Sequence, residues 1–194
     1  AEMPHAVTFG EHFAARELMK LIQYDVLRCR DDVQWLQRIG VKSMCCRILF
    51  VVTQELWREY GEPGDVTLFY RQGMAELLAP LVFVVHAASI SLVTSPTLDG
   101  FSILHDENYV EHDTLALFKQ LLHLTRDVFW PELCTNQLSS LEGRCASIQA
   151  MLTTVDTELT NHLMSFGIDA RLFAVRAIKI LFAQTLPIPQ LFEV

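Results

Sequence analysis

Apolar residues recur at helical spacing along almost the whole chain, and this period limits the fold more than any other feature. Met44, Ile48, Val52 and Leu56 advance in steps of four, and Leu117, Leu121, Leu124 and Val128 do much the same further on. Side chains three or four positions apart share one helix face, so each set predicts an amphipathic helix. Ile148, Leu152, Val155, Leu159 and Leu163 alternate steps of four and three. That run is too short for a coiled coil and suits packing inside one bundle. No run alternates apolar with polar residues, so no strand is expected. The expected class is all-α, a single multi-helix domain over residues 1–194.

Breaks in the pattern place the helix ends. Gly61-Glu62-Pro63-Gly64-Asp65 is a strong interruption, and Thr94 to Gly100 reads as a second loop. Asn108 with Glu111, beside Asp106 and Glu107, reads as an acidic helix start. Gly167 followed by Asp169 reads as a C-cap and then a new N-cap. The segment from Pro131 to Gly143 is the least regular. Leu77 to Val93 is apolar but holds Pro80 and His86, and it reads as a buried core helix rather than a membrane span. A last long helix is expected from Ala170 to Leu186, buried on most sides, with Arg176 and Lys179 as a solvent-facing or snorkelling pair. Pro187 and Pro189 stop it.

Composition narrows the function classes. The 194 residues are 51% apolar and 20% charged, which is a folding chain and not a disordered one. Fifteen Lys and Arg against twenty-three Asp and Glu give a net charge of −8. A non-specific nucleic-acid or anionic-membrane binder shows the opposite balance. Five cysteines, an odd number without C-x-x-C spacing, argue against a disulfide framework or zinc ribbon and for a reducing cytosolic setting. No basic-then-apolar leader opens the chain, and Ala1 in place of Met reads as a piece of a longer protein.

The familiar catalytic signatures are missing. His105-Asp106-Glu107 and Glu111-His112-Asp113 gather metal-capable groups, but their histidines lack the i, i+4 spacing of a helical zinc site. An acidic helix start accounts for them, so no metal is expected. Neither G-x-S-x-G nor G-x-x-x-x-G-K-[ST] occurs, so the chain itself cradles no nucleotide phosphate. Two short segments remain. In Ile22-Gln23-Tyr24-Asp25-Val26-Leu27-Arg28, an Asp three residues before an Arg can hold the guanidinium by a charge-assisted bond. As a surface salt bridge alone it would mean little. In Tyr70-Arg71-Gln72-Gly73-Met74, a Gln and a Gly open an apolar helix.

Taken in this order and separation, the two segments resemble the I-x-x-D-x-x-R and Y-x-Q-G-M motifs of the TBC-domain GTPase-activating proteins that act on Rab small GTPases. The likeness extends from about Leu18 to Val194. Glu111-His112-Asp113 with Leu117-Phe118 looks like the family's E-x-D-x-x-x-x-F helix. Phe166-Gly167-Ile168 through Phe173, Arg176, Leu181-Phe182 and Leu186-Pro187 looks like its late G-I-x-x-x-x-F-x-x-R segment. Tyr70 to His86 is most similar to the branch linked to retromer and late-endosomal Rab control. The family usually follows its Arg with Thr and soon a Pro, where this chain has Cys29-Arg30-Asp31-Asp32. Ala177 stands in place of a Trp, and Gln184-Thr185 in place of Arg-Glu. The resemblance implies a TBC domain truncated at both ends, with the family's C-terminal helices missing.

The resemblance also implies a chemistry. Phosphoryl transfer to water spreads negative charge over the γ-phosphoryl group and needs a positioned water. Arg28 would neutralise that charge in trans, and Gln72, whose amide both donates and accepts, would orient the water. Asp25 would hold Arg28, Tyr70 would shape the Gln72 loop, and Gly73 would let the backbone approach the partner. GTP and Mg²⁺ would belong to the Rab, so no cofactor is expected of this chain. Arg71 would add local positive charge. The expected setting is cytoplasmic, with peripheral recruitment to endosomal membranes and a retromer-like trafficking complex as a further partner. Two other readings stand beside this one: a catalytically silent Rab-binding adaptor of the same fold, and an unrelated helical scaffold.

Overall fold

Helices account for all the regular structure in the computed structural model, which describes residues 9–60, 66–93, 107–134 and 136–191. No strand occurs among them, as the helical period requires. The expected breaks at 61–65 and 94–100 lie outside the described residues, as do His105 and Asp106. The chain gathers into two compact units, Ala1–Lys119 and Gln120–Val194.

In the first unit α1 (Phe9–Arg28) packs against α2 (Ile39–Tyr60), and a 3-10 turn at Val66–Phe69 leads into α3 (Met74–Val93). Leu18, Ile22 and Val26 are buried on α1 at four-residue steps. On α2 the expected face is buried at its centre, Ile48 and Val52, and is joined by Val41, Cys45 and Leu49. Pro80 sits inside α3, where it removes the helix bond to the carbonyl of Glu76 without ending the helix. The reading of 77–93 as a buried core helix holds for its first part, Leu77, Leu78, Ala79 and Val82, whereas Val84 and Ile90 are exposed. No helix among the described residues is long and apolar enough to cross a membrane.

Helix α4 (Val110–Leu124) follows a 3-10 turn at Glu107–Tyr109. Its buried line is Val110, Thr114, Phe118 and Leu122, not the expected one, for Leu117 is 49% and Leu124 74% exposed. The buried Thr114 made the true line look polar. Glu111, expected as a capping group, instead takes the Arg47 guanidinium through two bonds of 2.7 and 2.6 Å. Lys119 and Glu55, 2.8 Å apart, tie α2 to α4 a second time.

In the second unit α5 (Arg126–Phe129) and a 3-10 turn at Pro131–Leu133 precede α6 (Leu141–Val155), which Ser140 caps by accepting from the Gly143 amide. The 131–143 segment is thus irregular only up to Ser140. The stripe from Ile148 to Leu163 is not one helix. Asp156 ends α6 and also caps α7 (Thr157–Ser165), its carboxylate accepting from Leu159 N. Val155 is 84% exposed at that corner. Gly167, at φ +71°, closes α7 with the paired bonds of a Schellman exit, Ile168 N to Leu163 O and Gly167 N to Met164 O. Asp169 then caps α8, as expected.

Helix α8 (Ala170–Ile180) is shorter than the expected 170–186 helix, because Leu181 and Phe182 turn left-handed. It packs on α6, and the Gln149 side chain accepts from Ala170 N at 2.8 Å. It is not buried on most sides: Leu172 and Phe173 are exposed beside Arg171 and Arg176. The expected snorkelling pair divides its tasks. Arg176 reaches Gln184, while the Lys179 ammonium lies 5.5 Å from the Phe129 ring centroid. A last turn, α9 (Ile188–Leu191), follows.

The two glycines of the second unit differ in what they tolerate. A Cβ on Gly143 would meet Gln137 O at 2.1 Å and Leu138 Cα at 2.8 Å, both main-chain atoms. A Cβ on Gly167 meets nothing within 4 Å, so only its positive φ opposes substitution. Gly167→Ala should therefore cost about 1 kcal/mol. Gly143→Ala should cost more, about 1–3 kcal/mol, because backbone must shift. Urea unfolding of the two variants checks the order, which an equal or reversed loss would contradict.

Candidate functional site

The two motifs recognised in the sequence meet in the first unit. Arg28 is the last residue of α1, and its side chain is exposed. Gln72, also exposed, lies in the turn that precedes α3. Two contacts bracket the pair. The Tyr70 hydroxyl donates to Asp25 Oδ2 at 3.0 Å, one helical turn before Arg28 and two residues before Gln72. The Cys29 thiol donates to Ala75 O at 3.4 Å, directly after Arg28 and in the first turn of α3. The end of α1 and the start of α3 are thereby held side by side.

Asp25 is engaged differently from the sequence expectation. Its carboxylate accepts from Tyr70, and among the described residues no hydrogen bond or ion pair joins it to Arg28. Tyr70 is nearly buried, and its phenol is pushed well above the usual value by burial first, then by the charge of Asp25 and the hydrogen bond to it. The neutral hydroxyl is the form the site holds, and it can act as the donor. Gly73 has φ +107°, a conformation that favours glycine, so the chain can turn there from Gln72 into α3. The Arg71 N–H reaches the Met74 sulfur at 3.2 Å across the same turn.

The end of α1 is closed by side chains. Helix C-termini leave carbonyls without helical donors. Here the Gln37 Nε2 group donates to Cys29 O at 3.2 Å and to Arg30 O at 2.8 Å, and Lys42 Nζ reaches Leu27 O at 3.4 Å. Arg30 exits the helix at φ +48° without being glycine; it is buried, and its guanidinium meets Asp32 at 2.8 Å. Sequence reasoning missed Gln37, Cys29 and Lys42. The available signal was the lack of Gly or Pro between Arg28 and Ile39, which leaves a helix end needing other support.

No group of three His, Cys, Asp or Glu among the described residues is arranged to hold a metal ion. His112 Nδ1 lies 3.2 Å from its neighbour Asp113, a local surface contact. All five cysteines are free thiols. Burial pushes Cys29 and Cys45 from the ordinary thiol value of 9.0 up to about 12. These are packing thiols, held protonated, and not nucleophiles.

That protonation makes an alkaline prediction. Between pH 9 and 12 the unfolded chain loses thiol protons that the folded chain keeps, so stability is full below pH 9 and falls as pH rises through that window. Tyr70 adds to the loss above about pH 10, where a free phenol ionises. Cys45→Ser and Tyr70→Phe should each flatten the decline in unfolding free energy between pH 8.5 and 11. At neutral pH Tyr70→Phe should cost about 0.5–1.5 kcal/mol for the lost bond. A wild-type stability that rises in alkali would contradict both assignments.

Comparison with known proteins bears on the family and the fold. The model of the Rab-GTPase-TBC domain matches residues 14–194. Human TBC1 domain family member 5 is 26% identical over 216 residues, covering 96% of this chain and 25% of that protein. The Dictyostelium discoideum TBC1 domain family member 5 homolog B is 30% identical over 128 residues, 63% of this chain and 12% of its own length. The chain thus spans a quarter or less of these curated relatives. The crystal structure of the Ypt/Rab-GAP domain of Gyp1p superposes with a TM-score of 0.65 at 16% identity, over 90% of this chain and 52% of that one, a likeness of fold. With its family model matched over nearly the whole length, this chain belongs to the Rab-GTPase-TBC domain family.

Proposed function

We propose that this chain is a GTPase-activating domain for a Rab small GTPase, with Arg28 and Gln72 as the two groups supplied in trans. The observation that carries the reading is the juxtaposition of two exposed polar side chains of the right chemistry at the joined ends of α1 and α3. A guanidinium donates in a planar fork suited to phosphate oxygens. An amide both donates and accepts, as a group that orients a nucleophilic water must. Mg²⁺ and GTP belong to the GTPase in this reading, and this chain needs no phosphate loop of its own. Gly73 brings the Gln72 backbone close to the partner, and Arg71 adds positive charge beside it. The setting in this reading is recruitment to endosomal membranes with a retromer-like complex as a further partner, as the branch resemblance of Tyr70 to His86 implies.

The competing reading is an adaptor of the same fold that binds a Rab without accelerating hydrolysis. The two differ in what Arg28 does. Single-turnover GTP hydrolysis by a panel of Rabs, with the wild-type chain, Arg28→Ala and Gln72→Ala, separates them. Acceleration of one or a few Rabs should fall by about 10³–10⁵ on loss of the Arg, with GTP-dependent binding retained. Loss of the Gln should also abolish most of the effect. Binding without acceleration, unchanged in both variants, would establish the adaptor.

A further inference from the structure

The geometry points to Gln37 as a positioning residue for Arg28, acting through the backbone immediately beyond it. This rests on the GTPase-activating reading above and adds a residue that neither motif contains. A terminal Arg with no ion pair to Asp25 needs some other constraint, and the α1 exit supplies one. Gln37 Nε2 carries two hydrogens and places them on two successive carbonyls, Cys29 O at 3.2 Å and Arg30 O at 2.8 Å. This double contact also fixes the amide orientation, since the reversed amide would set an oxygen against two carbonyl oxygens. The contact spans the residue where the chain turns to φ +48°, a conformation costly for Arg30 and in need of outside support.

The same segment is tied forward to the Gln72 side. Cys29, which stands where the family pattern has Thr, donates from Sγ to Ala75 O at 3.4 Å. Gln37 therefore holds the main chain of Cys29 while the Cys29 side chain holds α3. Releasing the amide frees the peptide planes directly after Arg28, and with them the spacing between Arg28 and Gln72. A displacement of about 1 Å at a reacting group can lower a rate by about a hundredfold without changing any chemical group.

Gln37→Glu keeps the shape and removes both donors, placing oxygens against the two carbonyls; Gln37→Leu removes them without charge. In single-turnover assays on the accelerated Rab, both variants should lower the saturating stimulated rate by about ten- to a hundredfold. The half-saturating concentration should move less than about twofold, since Gln37 touches no partner in this scheme. The decisive arm repeats Gln37→Glu in the Arg28→Ala background, where it should cause no further loss because the group being positioned is gone. Melting curves confirm that each variant is folded. A folded Gln37→Glu or Gln37→Leu with the wild-type rate would overturn the assignment. So would an equal loss in the Arg28→Ala background, which would mark Gln37 as a general support. A wild-type chain that stimulates no Rab removes the activating reading and the positioning role together, whereas an active wild type beside an equally active Gln37→Glu removes the positioning role alone.

Discussion

A single hydrogen bond, Tyr70 Oη to Asp25 Oδ2 at 3.0 Å, joins residues 45 positions apart and holds the end of α1 beside the turn that carries Gln72. A buried phenol must find an acceptor or lose the hydration it had in the unfolded chain. Asp25 is the acceptor within reach because, three residues after Ile22 and seven after Leu18, it lies at the edge of the buried face of α1. The bond therefore follows from α1 amphipathicity together with a tyrosine two residues before Gln72. Once Asp25 is committed to Tyr70, Arg28 extends from the helix end with its charge unpaired by that carboxylate. An exposed Arg of this kind keeps its rotamer freedom until a partner orders it, which weakens encounter but leaves every donor available to a phosphate.

Much of this was legible in the sequence. The helical period predicted the class, and Gln72-Gly73 read as the opening of an apolar helix, which α3 begins at Met74. The exit from α7 at Gly167 and the cap at Asp169 followed from residue types with few alternatives. The misses share a cause, which is that one-dimensional patterns rank polarity and not position. On α4 two neighbouring lines of residues compete, and Thr114 made the buried line look the poorer one. Its hydroxyl is buried with no hydrogen-bond partner among the described residues, so the line is held by its apolar members despite that cost. At Asp156 a residue that commonly begins helices also ends one, so the apolar stripe continued through a corner.

Helix exits show the same limit more sharply. Gly167 turns left-handed at little cost, and sequence marks it. Arg30, Leu181 and Phe182 make positive-φ turns with side chains that disfavour them, by roughly 1–2 kcal/mol each. Such turns persist only where surrounding contacts over-determine them. For Leu181 the support comes from the Phe182 N–H on Ala177 O, the Ala183 N–H on Ile180 O and the burial of Ala183. For Arg30 it is burial, Asp32 and the Gln37 amide. None of these supports marks the turn in the sequence, and the Gln37 amide depends on where the chain returns after it.

The closure of α1 bears directly on what Arg28 can do. The C-terminal end of a helix carries partial negative charge, and a terminal Arg can fold back on the last carbonyls and satisfy itself there. In this chain Leu27 O, in the last turn, meets Lys42 Nζ, and the two carbonyls just beyond the helix, Cys29 O and Arg30 O, accept from Gln37 Nε2. Each occupied carbonyl is one fewer internal partner for the guanidinium. The helix end thus gains its caps from α2 and the loop before it, and the cation at its tip remains turned toward solvent. The Arg28 guanidinium is exposed and unpaired with Asp25, while side chains from elsewhere in the first unit satisfy part of the backbone around it.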